Sequence, residues 1–170
     1  MNQDELKISA QIKTTLQKLK KKNLSLATVE SITGGGIGSA ITAIPGSSEV
    51  YLGGLITYSD SAKIKILGVD QKILKKHTAV SEEVVVEMVK AVSTIFKSNV
   101  AIATTGVAGP GKSYGQKAGI AWIGIKAGKK IYATKVDLSA GIPGKSPLEK
   151  RDFVRKVVIA TAFSTLARIL

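Results

Sequence analysis

Apolar positions along this chain recur at two periods, three to four residues in some stretches and two in others. Residues 4–22 carry Leu6, Ile8, Ile12, Leu16 and Leu19 at near-helical spacing and close on a run of lysines, which predicts an amphipathic helix. Leu24 to Val29 is a short β-type run, broken by the glycines at 34–36. Ile37 to Ile44 then predicts a helix that Pro45-Gly46 ends. Val50 to Tyr58 predicts a strand, and Ser61 to Leu67 a short helix stopped by Gly68. Ser81-Glu82-Glu83 opens a helix to Phe96, with acids in its first turn where the helix dipole favours them. Asn99 to Thr105 is an apolar, β-rich run of the kind found in buried strands. Ile120 to Ile125 and Lys130 to Val136 predict two strands joined as a hairpin by Ala127-Gly128-Lys129. Residues 137–147 are rich in turn formers, and Lys150 to Leu170 predicts a long helix.

Helices separated by strands in this order predict an α/β layered fold with a mixed sheet, in a single domain over residues 1–170. The chain has no internal repeat and no linker-like stretch.

Composition narrows the chemistry by subtraction. There is no cysteine and one histidine, His77, so Cys nucleophiles, disulfides and thiolate or His-rich metal sites are excluded. His77 stands in a lysine run expected to be exposed, a poor place for the base of a Ser-His-Asp triad. A hydrolase built from this chain would pair a Ser, Thr or Tyr nucleophile with a lysine base. No apolar run reaches the roughly 18–20 residues that span a bilayer, and MNQDELK holds no apolar signal core, so a cytoplasmic protein without membrane contact is expected. A net charge of +13 favours anionic partners. Three Phe and one Trp give little for bases to stack on, so a focused anion site is favoured over a nucleic-acid groove.

Three glycine-marked segments carry the candidate chemistry: Ala27 to Gly36, Ile44 to Lys63 and Ala103 to Pro110. The first two put Ser31, Thr33, Ser48, Tyr58 and Lys63 near glycine-rich backbone. The Gly34–Gly36 turn opens a helix, where free N–H groups can bind an anion. Gly106 to Ser113 (GVAGPGKS) matches the P-loop pattern, but the strand Ile120 to Ile125 follows too soon for the helix that a P-loop needs. That match is read as chance, with Lys112 left free to face an anion.

Six motifs in register resemble one family: ESITGG at 30–35, IPGSS at 44–48, TYS at 57–59 with Lys63, AVS at 79–81, TGVAGP at 105–110 and RDFVR at 151–155. In order and spacing they are similar to the C-terminal domain of the competence-damage-inducible protein CinA, whose stand-alone versions are nicotinamide-nucleotide amidohydrolases (NMN deamidases). The resemblance covers residues from about 5 to 170. It implies a three-layer α/β/α sandwich, a homodimer, and hydrolysis of the nicotinamide mononucleotide carboxamide to nicotinic acid mononucleotide and ammonia, without cofactor or metal. Carried over by position, it implies Ser48 as nucleophile with Lys63 and Tyr58 as the proton-transfer pair. Ser31, Thr33, Gly34, Gly35, Thr105, Gly106 and Arg151 would bind or position the substrate. The chain departs from the family's usual pattern at Ile32, in the 111–119 loop and at Glu149-Lys150, positions that bear on substrate identity. Two rival readings stand beside the enzyme: a nucleotide-binding module of the same fold without turnover, and a basic nucleic-acid-associated protein.

Overall fold

The computed structural model describes residues 3–170, with side chains from residue 6 onward. A five-stranded sheet forms the middle layer, in the order β2-β1-β3-β4-β5. Strands β1 (Leu26–Glu30), β2 (Tyr51–Ile56) and β3 (Val100–Gly106) run parallel, while β4 (Ile120–Ala127) and β5 (Lys130–Asp137) run antiparallel as a hairpin. The sheet is mixed, as its sequence order predicts.

Alternation along the strands sorts side chains to two helical layers. Leu26, Val100, Ile102, Ile123 and Ile125 pack with α1 (Gln3–Lys21), α2 (Gly36–Thr42) and α6 (Pro147–Ile169). Ala27, Val29, Ala101 and Ala103 face α3 (Asp60–Leu67), α4 (Gln71–His77) and α5 (Glu82–Phe96). Small residues on this second face let α5 lie close. A Cβ at Gly124 would come within 2.9 Å of the Val85 carbonyl oxygen. Three layers result, an α/β/α sandwich.

Helix α4 is absent from the sequence expectation. Its seven residues hold only two large apolar side chains, Ile73 and Leu74, too few to show a period, and Asp70 supplies the cap by accepting from Lys72 N at 2.7 Å. Helix α6 begins three residues before Lys150. Ser146 and Glu149 form a reciprocal capping box around Pro147 that extends it. His77 is half-buried rather than exposed, with Nδ1 3.0 Å from Glu83. No helix among the described residues is long and apolar enough to cross a membrane.

The connection from β1 to β2 runs through α2 on one face of the sheet. The connection from β2 to β3 runs through α3, α4 and α5 on the other, passing over β1. Chain direction across the sheet therefore reverses at the carboxyl end of β1. Such switch points open a crevice in α/β sheets, and here Ser31 follows directly on β1.

Candidate active site

Glu30 ends β1 and is 2% exposed. Its carboxylate accepts from the N–H groups of Ile37 (3.0 Å) and Gly38 (2.8 Å), the opening turn of α2. The helix terminus expected to receive a ligand's anion therefore holds an internal one. Gly34 and Gly35, at φ 60° and 94°, make the turn possible and are not among the residues that line the cleft described below. Arg155 braces the same turn by donating to the Thr33 carbonyl at 2.8 Å. The Thr33 hydroxyl is fully buried against that of Thr104, 2.8 Å away, and does not reach the cleft.

Ser31 is pinned to β3 by its own N–H, which donates to the Thr104 carbonyl at 3.0 Å. On its other side, Ser59 caps α3 by accepting from Ala62 N at 3.1 Å. That start directs Lys63, one turn on, inward beneath the end of β2. Lys63 is 1% exposed, and its Nζ donates to Ser31 Oγ at 3.2 Å and to the Thr57 carbonyl at 3.1 Å. Burial pushes its pKa below the ordinary lysine value, and the negative charge of Asp60 offsets only part of that shift. A lysine so placed gives up a proton more easily than a surface lysine does, and it lies within hydrogen-bond reach of a serine hydroxyl.

Above this pair lies a cleft of about 330 Å³, walled by the ends of β1 and β3, Tyr58, Ala79-Val80 and the loop from Val107 to Tyr114. Thr105 and Gly106 line it, but the Thr105 hydroxyl donates to the Ala79 carbonyl at 2.6 Å and so holds the wall together. Arg151, entering from α6, donates through Nη1 to the Gly109 carbonyl (2.9 Å) and through Nη2 to the Tyr58 hydroxyl (2.7 Å). Because Tyr58 accepts there, its own O–H remains available to donate into the cleft. Tyr114 reaches across from the loop and donates to Asp60 Oδ1 at 2.9 Å. The loop between β3 and β4 contains no helix, so the P-loop match is a coincidence of letters.

The structure thus brings together Ser31, Lys63, Tyr58, Thr105, Gly106 and Arg151. It does not bring Ser48. That residue is exposed in a single 3₁₀ turn (Ser47–Glu49) just before β2, whereas Lys63 lies beyond the other end of that strand. Six strand residues at about 3.3 Å each separate the two ends. Three participants went unrecognised in the sequence. Tyr114 and Asp60 meet across 54 residues with no local pattern to announce them. Glu30 enters the sequence reading only as the first letter of ESITGG, although an acid a few residues before a glycine-opened helix signals a cap.

Fold and site together define an α/β sandwich with a buried Ser–Lys pair at the switch point of its sheet. Comparison with known proteins places it further. The CinA C-terminal domain family matches residues 8–170, and the chain belongs to that family. It is 38% identical over 153 residues to a competence-damage inducible relative of Clostridium botulinum, covering 89% of this chain and 35% of the relative. A relative from Caldanaerobacter subterraneus is 41% identical over 142 residues, 81% of this chain and 34% of that protein. The chain therefore spans about a third of the length of these relatives. Among solved structures, a CinA superfamily protein from Escherichia coli superimposes with a TM-score of 0.89 at 29% identity, covering 100% of this chain and 94% of that one. A competence/damage inducible protein from Agrobacterium tumefaciens gives 0.87 at 28%, covering 99% and 97%.

Proposed function

We propose that this chain is an amidohydrolase that converts nicotinamide mononucleotide to nicotinic acid mononucleotide and ammonia, with Ser31 as nucleophile and Lys63 as its base. One observation carries the reading. A lysine 1% exposed lies 3.2 Å from a serine hydroxyl at the floor of a cleft, and burial lowers its pKa. Surface lysines have no reason to be so placed, and a structural core would not choose a charge there. Membership of the CinA family supports the substrate class.

In this scheme neutral Lys63 takes the Ser31 proton as Oγ attacks the carboxamide carbon. The tetrahedral intermediate collapses as Lys63 returns that proton to the departing nitrogen, and ammonia leaves. Water then attacks the acyl-serine ester, with Lys63 again as base, which frees the carboxylate and restores Ser31. Tyr58 donates its O–H to the substrate, held in aim by Arg151. The Ser–Lys pair supplies both proton transfers from side chains alone, so the reaction needs no metal or cofactor.

The nucleophile here is Ser31, not the Ser48 that the family resemblance suggested by position. Strand β2 is an edge of the sheet and shows Leu52 (49% exposed) and Ile56 (57%) to solvent. An unpaired apolar edge favours pairing with a second copy, so a homodimer is part of the proposal. The deciding experiment follows ammonia release from nicotinamide mononucleotide by the intact protein and by Ser31→Ala. Release lost in the variant is the expected result. A protein that binds the nucleotide without releasing ammonia would be a binding module, and salt-sensitive DNA binding without release would favour the nucleic-acid reading.

A further inference from the structure

A second cavity, about 410 Å³, lies beside the cleft at the start of α6. Ala108, Gly111 and Lys112 form part of the wall of both. Lys112, Lys117, Lys145 and Lys150 line it, and no acid does. None of these four ammonium groups is paired with a carboxylate among the described residues. The three acids nearest in sequence are engaged elsewhere. Asp152 is paired with Lys156 at 3.0 Å. Asp137 accepts from Ser139 and Lys135, and Glu149 accepts from the backbone N–H groups of Lys145 and Ser146. Four like charges around one concavity repel one another, an arrangement that becomes favourable when an anion enters.

The cleft itself has little to offer a phosphate. Arg151 is held in place by the Gly109 carbonyl and the Tyr58 hydroxyl, Lys63 is buried and bound, and the α2 terminus is filled by Glu30. The remaining cation on the cleft wall is Lys112, and it also faces the second cavity. We propose that this lysine-lined cavity is the subsite for the phosphate ester of a ligand whose other end lies over Ser31 and Lys63. The assignment rests on the amidase reading for the identity of that other end, but the anion chemistry stands by itself.

The test uses the full chain and the double variant Lys145→Gln/Lys150→Gln. Both residues are exposed and distant in sequence from Ser31 and Lys63, so the fold should be unaffected. Calorimetric binding of nicotinic acid mononucleotide and of its riboside gives one readout. Steady-state turnover of nicotinamide mononucleotide, its riboside and the corresponding dinucleotide gives the other. Affinity and kcat/KM for the mononucleotide should fall about tenfold, with the change in KM, while riboside values stay level. The loss should shrink as salt rises from about 0.05 to 0.5 M. A terminal phosphate is indicated if the mononucleotide suffers most, and a bridging pyrophosphate if the dinucleotide does; either supports the subsite. Equal losses with and without phosphate, or none, would overturn it. If no ammonia is released from any substrate but the mononucleotide still binds, and binds more weakly to the variant, the amidase reading fails while the subsite survives.

Discussion

Two serines lie near opposite ends of strand β2, Ser48 before it and Ser31 directly after the neighbouring strand β1, beside the far end of β2, and they differ in everything that makes a hydroxyl reactive. Before the strand, Ser48 sits exposed in a 3₁₀ turn, with no hydrogen bond to a basic side chain among the described residues. Beyond it, Lys63 is folded under the sheet against Ser31, which is 7% exposed and fixed by backbone to the neighbouring strand. Motif spacing treats these serines as equals. Burial and a low-pKa partner separate them, because a hydroxyl attacks only when something removes its proton during the attack.

The largest expected effect tests that contrast directly. Ser31→Ala should lower the rate of ammonia release by about 10³-fold or more, the scale seen when a nucleophile is removed. Ser48→Ala should stay within about twofold, as expected for a side chain outside the reacting atoms. If the two variants exchange these outcomes, the comparison is inverted and the nucleophile lies at the other end of β2.

Next in size is the base. Lys63→Arg retains charge but cannot act as a base near neutral pH, so activity should fall by about 10²–10⁴-fold. The pH profile of the unmodified protein should rise with an apparent pKa below the ordinary lysine value, and that limb should vanish in the variant. Stability carries the same signature. The folded pKa is depressed, so between it and the unfolded value the unfolded chain binds more protons, and stability rises with pH through that window. Lys63→Met should remove the slope while keeping the fold, and chemical denaturation at several pH values measures it.

A smaller effect sharpens the role of Arg151. Its contacts hold Gly109 and Tyr58 rather than a free space for phosphate. Arg151→Ala should therefore reduce kcat/KM for the mononucleotide and for the riboside alike, by about ten- to a hundredfold. A loss confined to the phosphorylated substrate would return phosphate recognition to this residue. The smallest effect concerns the edge of the sheet. Leu52→Lys places a charge on the exposed strand and should shift a homodimer toward monomer in sedimentation. A monomeric unmodified protein would remove that proposal.

How much of this was legible in the sequence depends on the range of the interaction. The long amphipathic helices, the hairpin and the buried strand β3 follow from local period, since each buries a face set by its own spacing. Ser31, Tyr58, Lys63, Thr105, Gly106 and Arg151 of the cleft were also legible, because glycines, hydroxyls and basic residues cluster in those segments. Their partnerships were not. Whether Ser31 or Ser48 meets Lys63 depends on which end of β2 faces the switch point, and that is fixed by strand order. Glu30 was visible as a residue, yet whether it fills the α2 terminus or leaves it open depends on its side-chain conformation in the packed turn. The Tyr114–Asp60 and Arg151–Tyr58 pairs join segments with no periodic relation at all.

The sealing of Lys63 has a consequence for covalent labelling. Most lysines of this basic chain stand in water and will react with an amine-directed acylating reagent at similar rates. Lys63 can be reached only through the cleft or by a local opening of the fold. Its modification should lag behind the rest, and a ligand seated over Ser31 should slow it further without touching the others. Peptide mass spectrometry at timed intervals would then turn one slow lysine into a reporter of cleft occupancy, usable before any substrate has been turned over.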